Sequence, residues 1–259
     1  MEVIEPVPNE PAAIGFCSET RFLILADYHA GYEIAARYED GIELTNRAKG
    51  RKHRLWRLYE QIDPDHLVLL GDVTHSIGKP GRIEFDEIQQ LFEPITCPIT
   101  VAKGNHDGIL EDAIRGTLDI TNEITVTKST GKRFGPLGVL HGHTWPAPDL
   151  FEAEVICIGH EHPTVHLTDS VGGSRIEPVW VRGKLDLSVF PDAPSDQENS
   201  PELVIFPAFN DLLGGTWVND TDQDFLSPFL PQALPEGTVY LLDGTQLGDY
   251  RSISLERNI

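Results

Sequence analysis

Short aliphatic runs alternate with amphipathic stretches along the first half of the chain, and the aliphatic runs end in clusters of polar residues. Arg21 to Ala26 reads as a buried strand and leads straight into Asp27-Tyr28-His29. Residues 46–62 carry Leu55, Trp56, Leu58, Tyr59 and Ile62 at helical spacing, with Thr45 placed to cap the helix. The next strand, His66 to Leu70, ends in Gly71-Asp72-Val73-Thr74-His75. A second helix is predicted over Ile83 to Phe92, stopping before Pro94, and the strand Pro98 to Ala102 then delivers Lys103-Gly104-Asn105-His106-Asp107. This order of strands and helices is that of a parallel sheet with helices on its faces, in which ligands bind beyond the carboxyl ends of the strands.

Past a short helix near Ile109 to Arg115, helical periodicity fades. Strand-like runs follow at Ile124 to Thr127, Leu137 to Leu140, Val155 to Ile158, Val165 to Thr168, Ile176 to Val181, Leu203 to Phe206 and Val239 to Leu242. Two of these end in His141-Gly142-His143 and Gly159-His160-Glu161-His162. Residues 1–20, rich in Pro and Glu with an edge strand near Ile14 to Cys17, read as peripheral, and the Pro-bounded stretch 191–201 reads as a mobile surface loop. No repeat or linker divides the chain, so 1–259 is expected to be one domain built on two sheets.

Composition narrows the class. At 259 residues a sizeable core is affordable, no apolar run approaches the roughly 20 residues of a membrane span, and Met1 to Pro6 lacks the pattern of a signal peptide. A cytoplasmic location is expected. Cys17, Cys97 and Cys157 sit far apart in apolar company and read as small core hydrophobes. The formal charge of -21 is spread along the whole sequence, and lysine is scarcer than arginine. An acidic shell of this kind suits an organism with high internal salt.

The strand-end clusters supply Asp27, His29, Asp72, Asn105, His106, His141, His160 and His162. Carboxylate, amide oxygen and several imidazoles together suit first-row transition metals, whereas magnesium wants more oxygen and structural zinc usually wants thiolate. The donors are too many for one ion, and two ions sharing a carboxylate is the natural count. Ion pairs about 3.5–4 Å apart recur in phosphoesterases, where they activate water and neutralise charge on phosphate oxygens. Taken singly, each Asp or Asn is better read as a turn former and each His as a surface or satisfied core residue. Those readings would have to hold independently at every cluster.

The blocks Asp27-x-His29, Gly71-Asp72, Gly104-Asn105-His106-Asp107, His141 and Gly159-His160-x-His162 resemble, in order, those of the calcineurin-like metallophosphoesterase superfamily. The resemblance implies a four-layer α-β-β-α sandwich of two mixed sheets with a dinuclear site at the strand ends. It places Asp27, His29 and His162 on one metal, Asn105, His141 and His160 on the other, and Asp72 between them. His106 would be the unliganded catalytic imidazole, and a hydroxide bridging the metals would attack in line with the leaving group. Asp107 would orient its loop. Two divalent ions are implied, manganese foremost, with iron, zinc, nickel or cobalt as alternatives.

Protein phosphatases of this superfamily carry Asp-Arg where this chain has His75-Ser76, which counts against that activity. Together with Phe206-Pro207-Ala208-Phe209-Asn210 and Gly214-Gly215, the blocks resemble the DNA-ligase-associated phosphoesterases and their archaeal relatives, which fits an acidic, salt-adapted source. The implied substrate is a phosphodiester in nucleic acid or a nucleotide, with repair proteins as partners. A phosphomonoesterase, a cyclic-nucleotide phosphodiesterase and a silent metal-bound scaffold are the alternatives. His75 and His143 are candidate substrate contacts, Trp145 and Arg182 candidate cleft residues. Arg51 and Lys52 lead a basic helix face, Arg47 to Arg57, that reads either as a phosphate-tracking patch or as charge offsetting local acid.

Overall fold

The structure, a computed structural model, describes residues 2–39, 41–77, 81–116, 122–168, 173–194, 200–220 and 222–253. The first half builds a six-stranded sheet from β1 (Ile4–Pro6), β2 (Ala12–Cys17), β3 (Thr20–Leu25), β4 (His66–Leu69), β5 (Ile99–Val101) and β6 (Ile124–Val126), in that spatial order. Strands β3 to β6 are mutually parallel, and β1 and β2 are antiparallel additions. Helices α1 (Tyr32–Glu39), α2 (Ala48–Ile62), α3 (Arg82–Phe92) and α4 (Leu110–Gly116) make the connections.

The second half forms an eight-stranded mixed sheet. Its strands are β7 (Lys132–Phe134), β8 (Leu137–Val139), β9 (Val155–Ile158), β10 (Thr164–Thr168), β11 (Ser174–Lys184), β12 (Glu202–Ile205), β13 (Thr238–Leu241) and β14 (Gln246–Asp249). The order is β14-β13-β11-β12-β9-β8-β7, with β10 paired to β11. Strands β8, β9 and β12 are parallel neighbours.

Alternation along the strands explains the layering, because successive side chains point to opposite faces. Leu23, Leu25, Leu67 and Leu69 pack against Leu55, Leu58, Ile88 and Leu91 of the helices. Their neighbours Phe22, Ile24, Val68 and Leu70 turn inward to meet Val139, Cys157, Trp180 and Val204 of the second sheet. Beyond that sheet, Ile156, Ile158, Leu203 and Ile205 are covered by Leu150 and Leu187 from two 3-10 turns and by Phe229, Leu230 and Leu234 from irregular chain. The outer layer on this side is therefore turns and loops rather than α-helix among the described residues.

The N-terminal stretch expected at the periphery is integral instead. It adds β1 and β2 to the first sheet, and Ile4, Ala12 and Ala13 are fully buried. Of the loop 191–201, residues 195–199 lie outside the described residues, while Ser200 and Pro201 are buried against the fold. Thr45 does not cap α2, which begins at Ala48. The Ala48 amide donates to Asn46 Oδ1 (3.0 Å) and the Arg47 amide to Glu33 Oε1 (2.9 Å). All three cysteines are free, with Cys157 buried in the inter-sheet core. Among the described residues no helix is long and apolar enough to cross a membrane.

Candidate metal centre

Five strand ends meet along one crest. Asp27 and His29 follow β3, Asp72 follows β4, and Asn105 and His106 follow β5; His141 follows β8, and His160 and His162 follow β9. Contacts across the sheets bind the two sets together. The His160 amide donates to Asp27 Oδ2 (3.1 Å), and Ala26 pairs with Ala208 beyond β12.

The backbone at these positions leaves the ordinary regions. Asp27 (φ 56°), His29 (46°), Asp72 (48°), His160 (70°) and His162 (44°) all adopt the left-handed conformation, which costs about 1–2 kcal/mol per residue for an L side chain. Loop hydrogen bonds hold them there: the Asp27 amide donates to the Gly71 carbonyl (3.3 Å) and the His29 amide to that of Asp72 (2.9 Å). Tight turns of this kind swing the side chains out of the strand direction and into a common space. Close approach dictates the glycine before Asp72 and before Asn105. A Cβ on Gly104 would lie 2.1 Å from Asp72 Oδ1, and one on Gly71 (φ 86°) would lie 2.5 Å from His141 Nδ1.

Asp107 ties two of these loops together. Fully buried, its Oδ1 accepts from the amides of Val73 (2.9 Å) and Thr74 (3.1 Å), and its Oδ2 from that of Gly104 (2.9 Å). Burial, followed by the repulsion of Asp72, pushes its carboxyl pKa up. Glu161, which the sequence reading passed over, plays a similar part behind His160 and His162. It accepts from Thr216 Oγ1 (2.9 Å) and from the Leu226 (3.0 Å) and Ser227 (2.7 Å) amides. Its only sequence signal is its place between two histidines at a strand end.

Three donor groups converge, Asp27-His29-His162, Asp72-His141-His160 and, sharing His29 with the first, His29-His75-His106, each with its ligand atoms within 4.8 Å of one another; the first two are made of expected ligands. Asp72 Oδ2 lies 3.4 Å from both His29 Nε2 and His141 Nε2, so this one carboxylate faces both of the first two groups. His162 Nε2 is 3.3 Å from Asp27 Oδ1, and Asn105 Oδ1 is 3.1 Å from His141 Nε2. Second partners fix two of the rings: His141 Nδ1 donates to the Leu70 carbonyl (2.7 Å) and His162 Nδ1 to that of Gly214 (3.0 Å). Each ring thereby presents Nε2 to the cluster, as a metal-ligating imidazole does.

Electrostatics show the tension among these groups. Burial opposes the charge on Asp72, but His141, His29 and His106 outweigh it and hold the carboxyl well below its usual range. Burial likewise opposes protonation of His141, and Asp72 and Asp27 reverse this, raising it to about 9. His160 falls to about 4 through burial and the neighbouring His141. Two buried nitrogens of the cluster, His29 Nε2 and His162 Nε2, have no hydrogen-bond partner among the described residues. Buried nitrogens aimed at carboxylates in a nitrogen- and oxygen-rich nest fit divalent transition-metal ions.

His106 stands beside this nest, with Nε2 3.9 Å from Asp72 Oδ2 and its amide donating to Asp72 Oδ1 (2.9 Å). His75 is brought to the same place: its Nδ1 is 2.9 Å from His29 Nδ1, and its ring stacks on that of His106. The His143 ring lies 5.2 Å from that of His141, with a buried, unpartnered Nδ1.

The basic helix face does not join them. Arg51 is 4% exposed and locked between Glu33 (3.2 Å) and Glu87 (2.9 Å), with its guanidinium over the Tyr28 ring, so it cannot track phosphate. Lys52 bonds Gln90 (2.5 Å) and lies over Trp56, while Arg47 pairs with Asp211, and Arg54 and Arg57 with Glu10. The four arginines of this face thus offset local acid. Arg182 pairs with Glu202 and Glu2, and Trp145 packs its ring against Phe190 and Phe229. Neither belongs to the donor groups.

Among curated proteins, none matches the sequence. Of solved structures, the nuclease MPE of Pseudomonas putida matches with TM-score 0.52 at 19% identity, covering 93% of this chain and 97% of that one. Yfce, a phosphoesterase from E. coli, matches with TM-score 0.38 at 14% identity, over 90% of this chain and 99% of the other. The first of these likenesses is one of fold. Residues 20–191, well over half of the sequence, match the calcineurin-like phosphoesterase family. With the family match and the metal-competent crest in agreement, the chain belongs to the calcineurin-like phosphoesterases, dinuclear metal-dependent hydrolases of phosphoester bonds.

Proposed function

We propose that the protein is a phosphodiesterase acting on nucleic acid or nucleotides, of the DNA-ligase-associated kind, using two divalent ions with manganese foremost. The observation that carries the reading is the position of Asp72, 3.4 Å from a histidine of each donor group. Asp27, His29 and His162 would hold one ion, Asn105, His141 and His160 the other, and Asp72 would serve both. When bound, such a pair supplies an activated water and neutralises charge on the phosphoryl oxygens.

The chain's own residues do the rest. His106 holds a proton on Nδ1 against the His75 carbonyl, which leaves Nε2 to take up a second proton from solvent and, as the imidazolium, to deliver it to the leaving oxygen. His75 keeps that imidazole in place by stacking, and the unpartnered Nδ1 of His143 is available to a phosphate oxygen. Support for a nucleic-acid substrate comes from the nuclease whose fold this chain shares over nearly the whole length of both. Work in the cytoplasm beside repair proteins accords with that substrate. Side-by-side turnover of bis(p-nitrophenyl) phosphate and p-nitrophenyl phosphate, with manganese and high KCl, tests the reading. Diester turnover supports it, and monoester turnover alone redirects it to a small-molecule phosphatase.

A further inference from the structure

A cleft of about 490 Å³ opens directly from the donor group that contains His162. Ile176, Pro178 and Leu213 give it apolar walls, and Arg54, Asn210 and Asp211 add polar groups. This volume falls within the range of small-ligand sites, which pair apolar walls with a few placed polar groups.

Asn210 gives the cleft its chemistry. Its amide donates to the Asp27 carbonyl (3.3 Å), which places it immediately behind a candidate metal ligand. Its Oδ1 accepts from the Leu212 amide (3.1 Å), and its Nδ2, on a side chain 1% exposed, has no acceptor among the described residues. A buried donor without a partner is destabilising, so an acceptor brought by a ligand is favoured there. Arg54 adds a second donor at the wall, its guanidinium over the Phe209 ring and a quarter exposed. Ile176 is half exposed at the other side.

From these features we infer that the cleft seats the nucleoside attached to the scissile phosphate. This rests on the phosphodiesterase reading, since a phosphate held at the Asp27-His29-His162 group places its ester substituent beside His162. A nucleobase has flat apolar faces for Ile176, Pro178 and Leu213, and carbonyl and ring-nitrogen acceptors for Asn210 and Arg54. The carboxylates nearest these donors are already paired, Glu10 with Arg54 and Asp211 of the cleft wall with Arg47, which suits a neutral acceptor such as a base carbonyl. Nucleoside preference is thus set here, away from the basic helix face.

The test is equilibrium binding of thymidine 5′-monophosphate and of inorganic phosphate to the full chain with manganese, in the unmodified protein and in Ile176→Trp and Arg54→Ala. Both substitutions fall on exposed or half-buried side chains outside the donor groups. The nucleotide is expected to bind at least ~10-fold tighter than phosphate. Each variant is expected to remove most of that advantage while phosphate affinity stays within about twofold. A nucleotide that binds no tighter than phosphate, or an advantage that survives in both variants, overturns the inference. Turnover of thymidine 5′-(p-nitrophenyl phosphate), followed in parallel, reports on catalysis separately. Its absence with the binding pattern intact would refute the phosphodiesterase reading while showing that the cleft binds a nucleoside.

Discussion

The ring of His106 lies stacked on that of His75, centroids 5.2 Å apart and 14° from parallel, and its Nδ1 donates to the His75 backbone carbonyl. Glu84 on α3 holds that carbonyl's peptide in turn, accepting from the amides of His75 (2.8 Å) and Ser76 (3.1 Å). His106 is thus oriented by backbone rather than by a carboxylate. His106→Asn is expected to lower kcat about 10²–10⁴-fold with manganese binding unchanged. Steady-state kinetics alongside metal analysis check this, and a loss of bound metal would instead make His106 a ligand.

Gly104 meets Asp72 so closely that a methyl group has nowhere to go. Gly104→Ala is expected to displace the Asp72 carboxylate and weaken metal binding about 10–100-fold, as disturbed support of a ligand usually does. Gly50, in α2 with open space around it, is the control. Gly50→Ala is expected to stabilise by about 0.5–1 kcal/mol and leave metal affinity unchanged. Metal titration and urea unfolding of both variants decide the matter.

Arg51 belongs to the fold, not to substrate. Arg51→Met leaves Glu33 and Glu87 uncompensated and is expected to cost about 3–5 kcal/mol at neutral pH. Burial opposes the charge on Glu33, and the bonds from Arg51 override it, leaving the carboxyl below its ordinary value of 4.5. A depressed carboxyl contributes stability that is present above its unfolded value and lost as pH falls through the folded one. The gap between the unmodified protein and Arg51→Met should therefore narrow below about pH 4.5 in urea unfolding. A gap that is constant with pH would contradict this.

The case of Arg51 shows where sequence legibility stops. On α2 it is one basic residue among several, and the partners that bury it, Glu33 and Glu87, come from α1 and α3. Such a pairing has no local signature. By contrast, Arg21 to Ala26, His66 to Leu70 and Val155 to Ile158 announce themselves as strands because both of their faces are buried. Strands β1, β7 and β14 are three or four residues long and partly polar, and helix α1 spans only eight residues, so none stood out. The donor residues were readable as blocks at strand ends. Their left-handed backbone at Asp27, His29, Asp72, His160 and His162 was not, since it is imposed by hydrogen bonds between loops that are distant in sequence.

The formal charge of -21 also makes a prediction. Several arginines are already committed to ion pairs, so most of the acid repels itself in dilute buffer. The thermal midpoint is expected to rise as KCl is raised from low to molar concentration. Indifference to KCl would remove the salt-adapted reading of the composition.

The most direct test of the central claim is turnover of bis(p-nitrophenyl) phosphate followed while manganese is titrated into chelator-stripped protein, with bound metal counted in the same samples. Activity should appear with binding, level off at about two ions per chain, as a two-metal site requires, and be absent from Asp72→Asn. Full turnover in the stripped protein, or two bound ions with no turnover of any phosphoester, would contradict it.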